Sequence, residues 1–212
     1  MKSDKIKISA IIVVAIILIG IGIWFYEPPK KANQNEPQEN TMKPYTVETE
    51  LEVGSISTIT GTVKKDEPYT KKITIKQANL RKVIFDLKWT DDKTFLGTFG
   101  LDSLTLNVTT PSGRTYGENS KSVKKTKEGN ILISISVNDK PSDDLIYAED
   151  INDALDQLKD EPYYLDEWAN KAFTVEVKVT VGEILGKFRP RDQGNDFELD
   201  IKYEYYTVSL VE

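Results

Sequence analysis

The chain contains no cysteine and no histidine. Their absence removes thiol nucleophiles, imidazole general bases, disulfides and the usual zinc ligand sets together. A chain without cysteine folds equally well in oxidising and reducing surroundings, so cysteine usage does not identify the compartment. Also missing are a Gly-rich phosphate loop, a Ser-x-x-Lys pair and a Gly-x-Ser-x-Gly elbow, which leaves no nucleophile with a partner. The pattern is that of a protein that is not an enzyme. Carboxylate pairs could still hydrolyse glycans. With 34 acidic residues, however, some pair always looks suitable, and the signal discriminates nothing. Basic charge is short too. The formal charge of −6 over the whole chain becomes −8 once residues 1–26, at +2, are set aside, and an acidic domain repels the phosphates of nucleic acid.

The long apolar run is what the sequence does have. Ile8 to Tyr26, "ISAIIVVAIILIGIGIWFY", has Ser9 as its one plainly polar side chain. At the helical rise it would measure about 28 Å, close to the thickness of bilayer hydrocarbon. Residues 8–26 are therefore predicted to be a transmembrane helix, with the lipid bilayer as partner and Trp24, Phe25 and Tyr26 at the headgroup level. A cleaved secretory signal is the rival, because Gly20 and Gly22 form a small-x-small pair. The Ile-Trp-Phe-Tyr that follows is unlike the polar stretch a peptidase prefers, and an uncleaved signal-anchor is favoured. Lys2, Lys5 and Lys7 on one side against Lys30 and Lys31 on the other orient residues 1–7 as a short cytoplasmic tail. The expected location is the cell membrane, single-pass, with the C-terminal domain outside the cytoplasm.

Residues 27–44, "EPPKKANQNEPQENTMKP", hold four prolines and almost nothing apolar. Such a segment buries too little to offset the entropy of ordering and is predicted to be a disordered stalk. Fully extended it would reach about 55 Å. Beyond it, in residues 45–212, the hydrophobic period is two. Val47, Leu51 and Val53 open the series, followed by Ile73 and Ile75, Val83 to Trp89, Leu104 to Val108, Ile131 to Val137, Phe173 to Val181 and Phe197 to Tyr205. In the last run the apolar phase moves to Tyr206, Val208 and Leu210, the signature of a bulge. Seven or eight half-buried strands with polar turns predict a mostly β, antiparallel β-sandwich. One short helix interrupts it, where Ile151, Ala154, Leu155 and Leu158 recur at helical spacing in "EDINDALDQLKDE". It is expected to pack over an edge or open end.

"LDSLTLNVTTPSG", residues 101–113, preceded by "KVIFDLKW", resembles the central hairpin of pre-peptidase C-terminal domains and of the related P-domains of proprotein convertases. There a hydrophobic strand is followed by an Asp-Leu-x-Leu-x-Leu pattern ending in Pro-x-Gly. The likeness covers about residues 70–137. It implies a jelly-roll-like accessory module of secreted proteins, calcium-binding in some members, without catalysis of its own. Ser103 stands where the family has an apolar residue, and calcium ligation is not carried over to Asp102.

On its own chemistry, "DQGNDFELD" offers Asp192, Asp196 and Glu198 as calcium candidates, with Asn195, Asp200 and a permissive Gly194 among them. The spacing is not that of an EF-hand, and a hairpin loop leading into a strand is the plainer reading. No other cofactor is expected. The acidic group Asp143, Asp144, Glu149, Asp150, Asp153 and Asp156 reads as a loop and a solvated helix face, and Lys121, Lys124, Lys125 and Lys127 as a solvated hairpin loop. Asn107-Val-Thr109 is a glycosylation sequon on the wet face of its strand. Together these features describe a membrane-anchored extracytoplasmic β-sandwich, a binding or structural module of the cell envelope with an envelope protein or glycan as partner. The alternatives are an accessory subunit of a membrane or surface-filament complex and a carboxylate-based glycan hydrolase.

Overall fold

In a computed structural model of the chain the described residues are 42–91, 101–182 and 194–211. The apolar run 8–26, with Trp24, Phe25 and Tyr26, lies outside them. Among the described residues no helix is long and apolar enough to cross a membrane.

Among the described residues nine strands and one helix follow in chain order: β1 (Lys43–Val63), β2 (Tyr69–Thr74), β3 (Leu80–Thr90), β4 (Ser103–Thr109), β5 (Thr115–Lys121), β6 (Glu128–Ser136), β7 (Leu145–Ala148), α1 (Ile151–Gln157), β8 (Ala172–Thr180) and β9 (Asn195–Val211). They form a five-stranded sheet, β6-β3-β9-β1-β7, and a four-stranded sheet, β2-β8-β4-β5. Every pairing is antiparallel. Leave out β7 and the pairs β1/β9, β2/β8, β3/β6 and β4/β5 nest inside one another, as in an eight-stranded jelly roll folded from a single long ribbon. The count is nine rather than seven or eight because β5 and β7 lack the alternation that announced the others. "TYGENSK" and "LIYA" are edge strands, defined by the neighbour they pair with. The first strand also begins at Lys43, so that Lys43 and Pro44, assigned by sequence to the stalk, pair with Ala148 and Tyr147.

The inward rows meet between the sheets. Val83, Phe85, Leu87 and Trp89 of β3, Leu104, Leu106 and Val108 of β4, Phe173, Val175 and Val177 of β8, and Phe197, Leu199 and Ile201 of β9 are all buried in one cluster. Two-residue periodicity makes this possible, since alternate side chains leave a strand on opposite faces. The turn in "TTPSGRT" closes with Gly113 at φ +87°, where a side chain would be strained.

The phase change in the last strand is not a bulge in β9. Its register with β1 runs unbroken from Ile56↔Ile201 to Thr46↔Val211, and the irregularities fall on its neighbours, between Ile56 and Ile59 of β1 and between Leu80 and Lys82 of β3. What changes is the covered face. The lower half of the β1/β9 ribbon buries its inner face against the four-stranded sheet. The upper half buries the opposite face, where Tyr45, Val47, Val208 and Leu210 meet Ile146, Ala148 and the helix residue Ala154. Because the helix covers only the end of the ribbon, Leu51 and Val53, expected to be buried, stand exposed, Val53 at 66%. The same limit applies on α1, where Ala154 is buried but Ile151 and Leu155 are exposed. Asp150 starts the helix by accepting from the N–H groups of Asn152 and Asp153, which satisfies two otherwise orphaned donors.

Candidate functional site

The outward side chains of the five-stranded sheet line up across four strands. Thr60 and Thr62 of β1 stand beside Glu198 and Asp196 of β9. Next come Lys88 of β3, paired with Glu198 on one side and Asn130 of β6 on the other, and then Thr90, opposite Glu128. With Ser120, Lys121, Val123 and Thr126 from the end of β5 and the following turn, they line an open cleft of about 1200 Å³. Alternation explains why this floor is polar. Each residue is one step out of phase with the buried row of its own strand.

Neighbours hold many of these groups in place. Thr62 Oγ1 donates to Asp196 Oδ1 at 2.5 Å, and Asn130 Nδ2 donates to Asp86 Oδ1 at 2.5 Å. Lys88 Nζ is shared between Asp86 at 2.9 Å and Asp200 at 3.4 Å. Thr58 Oγ1 donates to the other oxygen of Asp200 at 2.6 Å. That hydroxyl, followed by the Lys88 ammonium, holds the Asp200 carboxyl below its ordinary range. Lys88 is raised in turn, chiefly by its hydrogen bond to Asp86.

The pH consequence has a definite sign. Stabilisation by Asp200 is complete above the ordinary carboxylate range and disappears as pH falls through its lowered value; that by Lys88 is complete below the ordinary ammonium range and disappears as pH rises through its raised value. Asp200→Asn should therefore melt below the parent at about pH 7 and converge with it as pH approaches about 2. Thermal unfolding across that range checks this; a constant offset at all pH values would contradict it.

A second polar group lies at the same end of the sandwich but inside it. Asp91, Asp102, Ser122 and Asn195 are buried. Asp102 Oδ1 accepts from the Gly182 N–H at 2.8 Å and Oδ2 from Asn195 Nδ2 at 2.8 Å, while its own N–H donates to Asp91 Oδ2 at 3.0 Å. Ser122 Oγ donates to the Asp102 carbonyl and accepts from the Trp89 indole N–H, both at 3.0 Å. This group escaped the sequence reading, although a signal existed. Asp91 continues the inward row of Phe85, Leu87 and Trp89, Asp102 that of Leu104 and Leu106, and Asn195 that of Phe197 and Leu199.

Two of the three calcium candidates are among the described residues, on one face of one strand. Asp192 lies outside the described residues, while Asp196 and Glu198 project from the outer face of β9 and Asn195 from its inner face. Among the described residues no group of three or more carboxylates could hold a metal ion. In the other acidic group, Asp150 caps α1, Asp143 is bound by Lys140 and Thr49, and Asp156 by Lys159. Lys140 and Thr49 hold Asp143 below the usual carboxylate range. Asn107 sits in mid-strand, half-buried on the outer face of the four-stranded sheet, and its amide donates to Glu176 Oε1 at 3.0 Å. Lys178 and then Asn107 lower the Glu176 carboxyl. The carboxyls of Asp143, Glu176 and Asp200 are thus all lowered.

No family model matches the chain, and no curated protein matches it. Solved structures with a distant likeness include these three. A carbohydrate-binding module, TmCBM61 in complex with β-1,4-galactotriose, is 8% identical, with 77% of this chain and 88% of that one covered and a TM-score of 0.30. The Triatoma virus empty capsid is 8% identical, with coverage of 80% and 90% and a TM-score of 0.30. The Israeli acute paralysis virus full particle, heated to 63 degrees, is 9% identical, with coverage of 84% and 78% and a TM-score of 0.28. At such scores the architecture rests on the strand pairing itself.

Proposed function

We propose that this protein is a membrane-tethered, extracytoplasmic β-sandwich that binds its ligand without transforming it, a recognition or structural module of the cell envelope. One observation carries the binding role: the cleft on the outer sheet face gathers hydroxyl, amide, carboxylate and ammonium groups on one open floor. Tethering is supported by the uncharged run 8–26, long enough to span, and by the proline- and amide-rich segment after it.

Expressed full-length, the protein is expected to stay with vesicles through alkaline carbonate extraction, and removal of residues 8–26 should release it. Recovery of the intact chain in the supernatant, or a mature terminus inside residues 20–24, would refute the tether. An accessory-subunit role is the second reading, favoured by the β7 edge. "LIYA" carries no charge, and Leu145 and Tyr147 are 50% and 56% exposed there; charged residues are the usual protection of a sheet edge. Stoichiometric co-purification of a partner from the same membranes would favour it.

A further inference from the structure

We infer that the outer-face cleft is a saccharide subsite for a neutral, hydroxyl-rich glycan, a proposal that rests on the binding reading above and names its ligand class. The cleft mixes donors and acceptors at close quarters: the hydroxyls of Thr60, Thr62 and Thr90, the amide of Asn130, and the carboxylates of Asp196 and Glu198. Sugar hydroxyls both donate and accept, so they can engage such a floor where a ligand of one polarity cannot. Two of these side chains are already oriented. Asp196 spends Oδ1 on Thr62 and Asn130 spends its amide hydrogens on Asp86 and Leu87 O. Among the described residues Asp196 Oδ2 and Asn130 Oδ1 accept no such bond, and both remain to meet a ligand. Groups fixed beforehand lose little entropy on binding.

Charge selects among glycans. Glu128, Asp196 and Glu198 face Lys88 and Lys121, and Lys88 is already committed to Asp86 and Asp200. The excess of carboxylate disfavours uronic acid polymers, nucleic acids and phosphate-bearing chains. Val123, 57% exposed on the wall, is the apolar surface against which the C–H face of a pyranose can rest. Without an exposed aromatic platform among the lining residues, one site should bind weakly, at roughly 0.1–1 mM. Several tethered copies on one membrane would multiply that by avidity.

The test is affinity electrophoresis of the full chain in detergent micelles through gels holding a neutral galactan, a neutral glucomannan or the anionic polygalacturonate. A neutral glycan should retard the parent. The double variant Asn130→Ala/Glu198→Ala and, independently, the wall variant Val123→Arg should each weaken retardation at least about tenfold. Glu176→Ala/Lys178→Ala, on the other sheet, should leave it unchanged. Melting temperatures within a few degrees of the parent will separate lost contacts from lost fold. Retardation by polygalacturonate alone, equal loss in the cleft and control variants, or no retardation by any glycan each overturns the proposal. Carbonate extraction of vesicles bearing the full chain, before detergent is added, reports on the tether separately, so the sugar assignment can fail while the anchored module stands.

Discussion

Truncating Phe173 to alanine is expected to destabilise the domain by about 3–5 kcal/mol, the range for removing a fully buried aromatic side chain. Phe173 has no solvent exposure and stands where the two sheets face each other. Its ring lies 5.9 Å from that of Phe85 on the opposite sheet, and 5.5 Å from Trp168 in an edge-on arrangement. Each aromatic contact adds about 0.5–1.5 kcal/mol beyond the area it buries, and Ile73, the register partner of Phe173, is too short to fill the vacated space. Set against the usual 5–15 kcal/mol for a whole domain, the loss is about a fifth or more. Urea unfolding should show a lower midpoint with an unchanged slope. Phe173→Leu, which keeps most of the volume, should lose less than half as much. Equal losses in the two variants would mean that ring packing is not what holds this junction.

Phe173 also shows what is legible in such a sequence and why. It belongs to the run Phe173, Val175, Val177, whose two-residue period is imposed by burial on one face only, so the strand and its inner face can both be read locally. The same holds for Val83 to Trp89, Leu104 to Val108 and Ile131 to Ile135. Where burial did not impose the period, sequence reading failed. β5 lies at an edge with little of it buried, and β7 is too short to show a period. Leu51 and Val53 obey the alternation yet stay exposed, because cover depends on how far α1 reaches along the ribbon, a fact stored in tertiary structure. The shift at Tyr206 was misread for the same reason: a change of covered face and a bulge leave identical traces in hydrophobicity and differ only in register.

The cleft was even less legible. Its floor comes from β1, β9, β3 and β6, whose residues lie far apart in sequence, and each contributes the ordinary polar side chains of a wet face. Asp196 and Glu198 are legible as a pair because only Phe197 separates them. The fold uses them on the outer face beside Thr62 and Lys88, residues that nothing in their local sequence connected to them. Jelly-roll pairing makes them neighbours.

Asp102→Ala is the second large effect, expected at about 3 kcal/mol. Removing the carboxylate strips two donors, the half-buried Gly182 N–H and the buried Asn195 Nδ2, of the oxygens they use. Each orphaned donor costs about 1–3 kcal/mol. Relief of a buried charge works in the opposite direction, which is why the net falls below the summed maximum. Asp102→Asn keeps one acceptor but presents an amide to the other donor, and should cost about half as much. The effect should also reach the cleft. Ser122 is bound through both its N–H and its hydroxyl to the Asp102 carbonyl and holds the Trp89 indole. That ring lies directly over Gly129, where any Cβ would overlap it. Gly129 is part of the cleft floor, between Glu128 and Asn130. Loosening the buried end should therefore broaden the Trp89 emission and weaken ligand retention under conditions where the variant is still folded. Loss of stability with an unaltered Trp89 environment would show that the buried carboxylate supports the end of the sandwich without positioning the cleft.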